Sequence, residues 1–253
     1  MKAEQQQDTR RRLDEALVAR GFFASRSRAR DAVERGTVSV DGVVATKAGQ
    51  AVPDVAVITV ADPAQAYVSR AALKLIAGLD HFGIVARGCN ALDIGASTGG
   101  FTQVLLERGA AHVTAIDVGH GQMHERLGSD PRVTCVEGLN ARDLTAEVLE
   151  GRPLDLIVSD VSFISLKLAL PPALALARAG AHGIFLVKPQ FEAGREAIGK
   201  GGILKNPADG PAVAEALAEW LGSQPGWRAL GLCPSPIEGG DGNREFLLAG
   251  VKA

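Results

Sequence analysis

Beyond residue 70 the chain alternates between two hydrophobic rhythms. Short apolar runs read as strands at 90–94, 112–117, 133–136, 154–160, 183–188, 229–233 and 245–251. Between them, apolar residues at three- and four-residue spacing predict helices at 72–82, 101–108, 122–127, 144–149, 172–179 and 208–221. Strand-then-helix repetition predicts a mostly parallel sheet covered on both faces, in the α/β class. A Pro/Gly-rich loop, PSPIEGGDGN, joins the last two strands and suits an antiparallel pair at the sheet edge.

The first sixty residues follow a different rhythm. Leu13, Ala16 and Leu17 predict a helix over 11–20 that Gly21 stops. Ser25 is placed to cap a second helix at 26–35, which Gly36 ends. TVSVDGVVATKAG then alternates around Asp41-Gly42 as a hairpin does, and 55–60 gives one more strand. Residues 1–9 are polar and read as a frayed end.

Composition, at 46% hydrophobic and 22% charged, is that of a globular chain, and 253 residues suffice for two unequal domains. The net charge of −2 hides a division. Residues 10–48 carry nine basic side chains against five acidic ones, a surplus of four, so the remainder is negative by six. A basic end on an otherwise acidic protein suits a polyanion partner.

MKAEQQQDTRRRLDE has no apolar core and does not read as a signal peptide. Runs such as LALPPALALA are too short to span a bilayer and contain Pro171 and Pro172. A cytoplasmic location is expected. Cys89, Cys135 and Cys233 are widely spaced and odd in number, so buried reduced thiols are expected rather than a disulfide framework. His112, His120 and His124 lack a partner set of cysteines, and no metal site is expected.

The candidate chemistry begins at ALDIGASTGGFT (residues 91–102), a strand entering a Gly-rich turn and then a helix. Ligands of open α/β sheets lie beyond the carboxyl ends of the strands, where backbone N–H groups at a helix start can face a carboxylate. A dinucleotide fingerprint needs glycine at the second conserved position so that pyrophosphate can approach. Here that position is Ser97, which argues against nicotinamide and flavin dinucleotides. A ligand without a phosphate, bearing a carboxylate and an amine that hydroxyls and backbone can meet, suits the turn instead. Asp117 closes the next strand, where a carboxylate can accept from both ribose hydroxyls, although strand-end turns also favour aspartate. Asp93 lies inside a strand, and an unpaired buried carboxylate there is costly.

Four further stretches each carry one polar residue of interest: Lys74 in YVSRAALKL, Asp160 in IVSDVSFISL, Lys188 in FLVKPQFE and Glu245 in DGNREFLLA. Taken singly they are ordinary, since a strand-end lysine can snorkel, an aspartate can cap a helix, and helix lysines are usually solvated. In this order, with the Gly-rich turn between the first two, they resemble the hemolysin-like TlyA family of S-adenosylmethionine-dependent ribosomal RNA 2′-O-methyltransferases. The resemblance covers roughly residues 10 to 250.

The resemblance implies a Rossmann-like class I, FtsJ-like methyltransferase domain with a seven-stranded mostly parallel sheet at 69–253. Ahead of it come a small α+β S4-like RNA-binding domain at 10–60 and a linker at 61–68. It also implies a catalytic set Lys74, Asp160, Lys188 and Glu245. Cofactor contacts fall at Asp93, Gly95, Ala96, Ser97, Thr98, Gly99, Gly100, Asp117 and Val118, with Glu137 to Asn140 flanking the adenine. RNA contacts fall at Arg12, Arg26, Arg28, Arg30 and Arg70. Where the family has glycine after YVSR, this chain has Ala71.

Transfer to a ribose 2′-OH is an in-line displacement at an already activated methyl, so the protein must align the groups and favour the alkoxide. Cations beside the hydroxyl do so, and neighbouring cations weaken each other's hold on a proton. On this scheme Lys188 is the general base, Asp160 orients it, and Lys74 and Glu245 position the hydroxyl. The expected partner is ribosomal RNA or a ribosomal subunit, with a cytidine target. The chain ends soon after its last predicted strand, as in shorter members, which favours the large subunit. Two other readings stay open: a membrane-active hemolysin, a name attached to the family, and a non-catalytic RNA-binding assembly factor.

Overall fold

The structure, a computed structural model, describes residues 10–239 and 242–253. The predicted frayed end at 1–9 lies outside them. The chain divides into two compact units, one up to Ala66 and one from Tyr67 onward.

In the first unit β1 (Arg10–Arg12) leads into α1 (Leu13–Ala19), followed by α2 (Arg26–Glu34). Then come β2 (Val38–Val40), β3 (Val43–Val44), β4 (Ala51–Pro53) and β5 (Ile58–Val60). Ser25 caps α2 by accepting the Arg28 N–H. Asp41 and Gly42 both have positive φ, 49° and 80°, the twist a two-residue hairpin needs, and β2 pairs with β3 across them. The predicted first helix starts two residues late because Arg10–Arg12 pair with Ala51–Pro53, two strands the hydrophobic pattern did not reveal. β2 also pairs with β5, which is shorter than predicted. Leu13, Leu17, Ala29, Val33 and Val38 form the core of this unit.

The second unit runs α3 (Ala72–Phe82), β6 (Asn90–Ile94), α4 (Gly100–Glu107), β7 (His112–Asp117), α5 (Glu125–Gly128) and β8 (Val133–Glu137). It continues with β9 (Leu154–Ser159), α6 (Leu166–Ala169), α7 (Pro171–Leu176), β10 (Ala177–Val187) and α8 (Pro189–Glu192), and closes with α9 (Gly210–Gly222), β11 (Trp227–Pro234) and β12 (Phe246–Lys252). The seven strands lie in the order β11-β12-β10-β9-β6-β7-β8, all parallel except β12, which opposes both its neighbours. β11 and β12 thus form the expected antiparallel pair at the sheet edge. β11 holds the edge, and the last strand is inserted between it and β10.

Period-two alternation sorts the strand residues onto two cores. Leu92, Ile94, Phe185 and Val187 pack on one face under α7 and α9, while Ala91, Val158, Ile184 and Leu186 pack on the other under α3 and α4. Three predicted helices contract. Gln122 lies outside α5 because its N–H and that of Gly121 are taken by the Glu137 carboxylate. The segment 144–149 is reduced to a 3-10 turn at Ala146–Leu149, and the helix predicted at 172–179 yields at Ala177 to β10. The thiols are free as expected, but only Cys233 is buried; Cys135 is exposed because β8 is an edge strand, and Cys89 is half-buried. Among the described residues no helix is long and apolar enough to cross a membrane.

Candidate active site

The carboxyl ends of β6, β7, β9 and β10 form one rim of the sheet. β6 leaves it through Gly95, at φ 81°, where a Cβ would lie 2.8 Å from the Asp160 carbonyl oxygen. Only glycine lets β6 and β9 end this close, and the Asp160 N–H closes the gap by donating to Ile94 at 3.0 Å. Ser97 holds a positive φ of 46° without being glycine. Its N–H donates to Asp117 Oδ2 at 2.8 Å and its hydroxyl to Gln122 Oε1 at 2.9 Å, which fixes the turn. The Gly119 N–H donates to Asp117 Oδ1 at 2.7 Å, so two backbone donors aim this carboxylate.

Asp93 lies beneath the turn with no exposed surface. Its Oδ2 accepts from Thr102 at 2.7 Å, and its Oδ1 has no partner. Burial pushes this carboxyl up to about 7; the Thr102 hydrogen bond opposes the rise, and the nearby Asp160 and Asp117 charges add to it.

Two lysine–carboxylate pairs complete the rim. Lys188, just past β10, lies 2.6 Å from Asp160 as an ion pair and donates its directed hydrogen bond to Ser162 at 2.8 Å. Lys74 on α3 meets Glu245, just before β12, at 2.5 Å with side chains 7% and 2% exposed. The antiparallel pairing of Val187 with Phe246 sets Lys188 and Glu245 at neighbouring strand ends. Sheet order thus sets Asp160, Lys188 and Glu245 at strand ends, and α3 carries Lys74 onto Glu245 from 171 positions away.

A cleft of about 1040 Å³ opens over this rim, lined by Gly95, Ser97, Asp117, Val118, Asn140, Asp160, Ser162 and Phe163 among others. A smaller hollow of about 190 Å³ joins Ala96, Ser97, Thr98 and Gly100 of the turn to Asp160 and Lys188. The other predicted site residues lie apart from both cavities. Gly99 faces Met123 and Leu127, Glu137 anchors the loop at Gly121 and Gln122, and Lys74 and Glu245 are sealed in their own pair. Sequence reasoning passed over Ser162 and Phe163, although both stand in the quoted IVSDVSFISL stretch. Phe163 is 90% exposed at φ 65°, with its ring 5.1 Å from that of Phe191. An aromatic residue three positions past the strand-end carboxylate Asp160 was the available signal. Among the described residues no three His, Cys, Asp or Glu side chains gather as a metal site.

In the N-terminal unit, Arg12, Arg26 and Arg30 converge on Asp14, while Arg28 donates to the Ala64 carbonyl at 3.3 Å. Arg70 belongs to the second unit, just before α3. Asp14 was read from the sequence only as one acidic charge among five.

A seven-stranded sheet with an inserted antiparallel last strand, a Gly-rich turn after its central β6 and paired lysines and carboxylates at the rim together define a methyltransferase of the FtsJ-like class. Residues 67–252 match the FtsJ-like methyltransferase family, and residues 11–55 match the S4 domain. The chain belongs, more closely, to the TlyA family. It is 45% identical over 240 residues to the 16S/23S rRNA (cytidine-2′-O)-methyltransferase TlyA of Mycobacterium tuberculosis, covering 94% of this chain and 89% of that protein. The 23S rRNA (cytidine-2′-O)-methyltransferase TlyA of Campylobacter jejuni is 39% identical over 191 residues, 74% of this chain and 71% of that protein. A solved structure described as a candidate hemolysin from Streptococcus thermophilus superposes with a TM-score of 0.75 at 37% identity, covering 97% of this chain and 90% of that one.

The residues present fit the methyl donor used by this fold. The orphaned Asp93 Oδ1 suits a cationic ligand, Asp117 is aimed by two backbone donors, and the Gly95 turn admits no side chain.

Proposed function

We propose that this enzyme methylates the ribose 2′-OH of a cytidine in ribosomal RNA, using S-adenosylmethionine, with Lys188 as the base. The observation that carries the reading is the hollow in which the Gly-rich turn, Asp160 and Lys188 share one wall. Gly95 to Gly100, Asp93, Asp117, Val118 and Asn140 would hold the cofactor, with Asp117 accepting from its ribose hydroxyls and Glu137 keeping the adjoining loop in place. When bound, it supplies a methyl group activated on a sulfonium.

The protein's own work is alignment and proton handling. Asp160 and Ser162 fix the Lys188 ammonium at the rim, so the lysine needs no reorganisation to meet a hydroxyl there. Once its proton has passed to solvent, Lys188 Nζ takes the proton of the 2′-OH as the oxygen attacks. Lys74 and Glu245, sealed from the hollow, brace α3 and β12 beside it and so act on the position of the ribose through that framework rather than by contact. Phe163 offers an exposed ring on which an extruded base can stack. The arginines of the first unit, Arg12, Arg26, Arg28 and Arg30, and Arg70 of the second, hold RNA phosphates.

Both named relatives act on 23S rRNA, which makes the large subunit the first place to look. The test pairs calorimetry with mapping of 2′-O-methyl groups on ribosomal RNA from a deletion strain. Adenosylhomocysteine should bind in the micromolar range and NAD should not. One or more cytidine methyl groups should vanish on deletion and return on complementation. An unchanged methylation map, or binding of NAD in place of adenosylhomocysteine, ends this reading.

A further inference from the structure

Asp14, at the start of α1, has no exposed side-chain surface, yet apolar core is not what covers it. Its cover is three arginines. Arg12 Nε lies 3.1 Å from Oδ1, Arg26 Nη2 lies 3.0 Å from Oδ2, and Arg30 Nε lies 2.9 Å from Oδ2. One arginine comes from β1, and the other two are four residues apart on one face of α2. All three stay 44–49% exposed. Glu15 takes one more contact from Arg26 at 3.0 Å. Each guanidinium has five N–H donors in a rigid fork, so donors beyond those given to Asp14 and Glu15 remain on these half-exposed side chains.

A carboxylate at the centre of a cationic patch lowers its attraction for anions. If charge alone mattered, the site would be better without it. What Asp14 provides is order, because free arginine side chains lose rotamer entropy when they bind, and a fork tied down beforehand loses less. Burial pushes the Asp14 carboxyl up, but hydrogen bonds from Arg12, Arg30 and Arg26 outweigh this and hold it well below the usual carboxylate range. The tie therefore stays charged near neutral pH.

We infer that Asp14 is a positioning residue that pre-orders Arg12, Arg26 and Arg30 as a fork for the phosphate oxygens of RNA. The inference rests on the ribosomal RNA reading above. It predicts the opposite sign from simple electrostatics, which is how it can be tested. Binding of the full-length protein to large-subunit ribosomal RNA transcribed in vitro is measured over a range of salt concentrations. Asp14→Asn removes a negative charge, so charge alone predicts tighter binding and a steeper salt dependence. Positioning predicts binding weaker by roughly three- to thirty-fold, with a shallower slope because fewer phosphates are neutralised together.

Circular dichroism melting shows whether Asp14→Asn stays folded. A second variant avoids that risk: Arg26→Lys with Arg30→Lys keeps both charges on half-exposed side chains but removes the planar fork. It should also weaken binding, and adding Asp14→Asn to it should change little further. Equal or tighter binding by Asp14→Asn, or unaltered affinity and slope in the lysine pair, overturns the inference. Wild-type methylation of the same RNA is scored alongside. Its absence sinks the functional reading, whereas unaltered lysine variants beside an active wild type sink only the fork.

Discussion

Lys74 and Glu245 form the more deeply buried of the two ion pairs of the candidate site, 2.5 Å apart with side chains 7% and 2% exposed. Replacing Lys74 by methionine keeps the length of the side chain but strands the Glu245 carboxylate away from water. Removing one partner of such a pair costs about 3–5 kcal/mol, whereas replacing both with apolar groups is often neutral or stabilising. Lys74→Met and Glu245→Leu should therefore each be strongly destabilising, and the double variant should be more stable than either. Trp220 on α9 and Trp227 on β11 both belong to the second unit, so their fluorescence follows its unfolding in urea. With a slope of about 2–3 kcal/mol per molar urea, each single variant should lower the midpoint by roughly 1–2 M. The double variant should recover most of that loss. If the pair also serves catalysis, the double variant will be folded but inactive, which separates the two roles. Single-variant losses that simply add in the double, or midpoints that barely move, would refute the buried pair. A stable and fully active double variant would remove both residues from the site.

Two predictions concern the neighbouring groups. Lys188→Ala should lower methyl transfer by at least ~10²-fold, and Lys188→Arg should be nearly as inactive, since arginine keeps the charge but does not give up its proton; single-turnover assays with saturating cofactor decide this, and a folded, fully active Lys188→Ala enzyme would place the chemistry elsewhere. Burial raises the Asp93 carboxyl from 3.8 to about 7, so between those pH values the native state holds a proton that the unfolded chain has lost, and stability falls as pH rises through that window. Asp93→Asn removes this dependence, so its stability relative to wild type should grow by up to about 4 kcal/mol between pH 4 and 7 and then level off; urea unfolding at each pH measures this, and a pH-independent difference would contradict the burial argument.

The sequence by itself determined which residues become strands and helices through most of the second unit, because a strand buried on both faces needs an unbroken apolar run and a covering helix needs a stripe. It also placed Asp160, Lys188 and Glu245 at strand ends, since each is the polar residue at the end of an apolar run, and it placed Ser97 in the Gly-rich turn. What it did not determine was partnership. Periodicity says which face a residue occupies but not which strand lies beside it, so the insertion of β12 between β10 and β11 was not legible. That insertion sets Glu245 beside the end of β10, and the tertiary fold brings Lys74, 171 residues earlier, onto it. Distant side chains also decided where local structure stopped. The Glu137 carboxylate takes the N–H groups of Gly121 and Gln122, and the helix predicted from 122 starts only at Glu125. Asp14 shows the same limit most plainly. In the sequence it is one acidic residue in a basic stretch. Only the packing of α1 against α2 and β1, which hides its carboxylate under Arg12, Arg26 and Arg30, makes it the centre of the cluster.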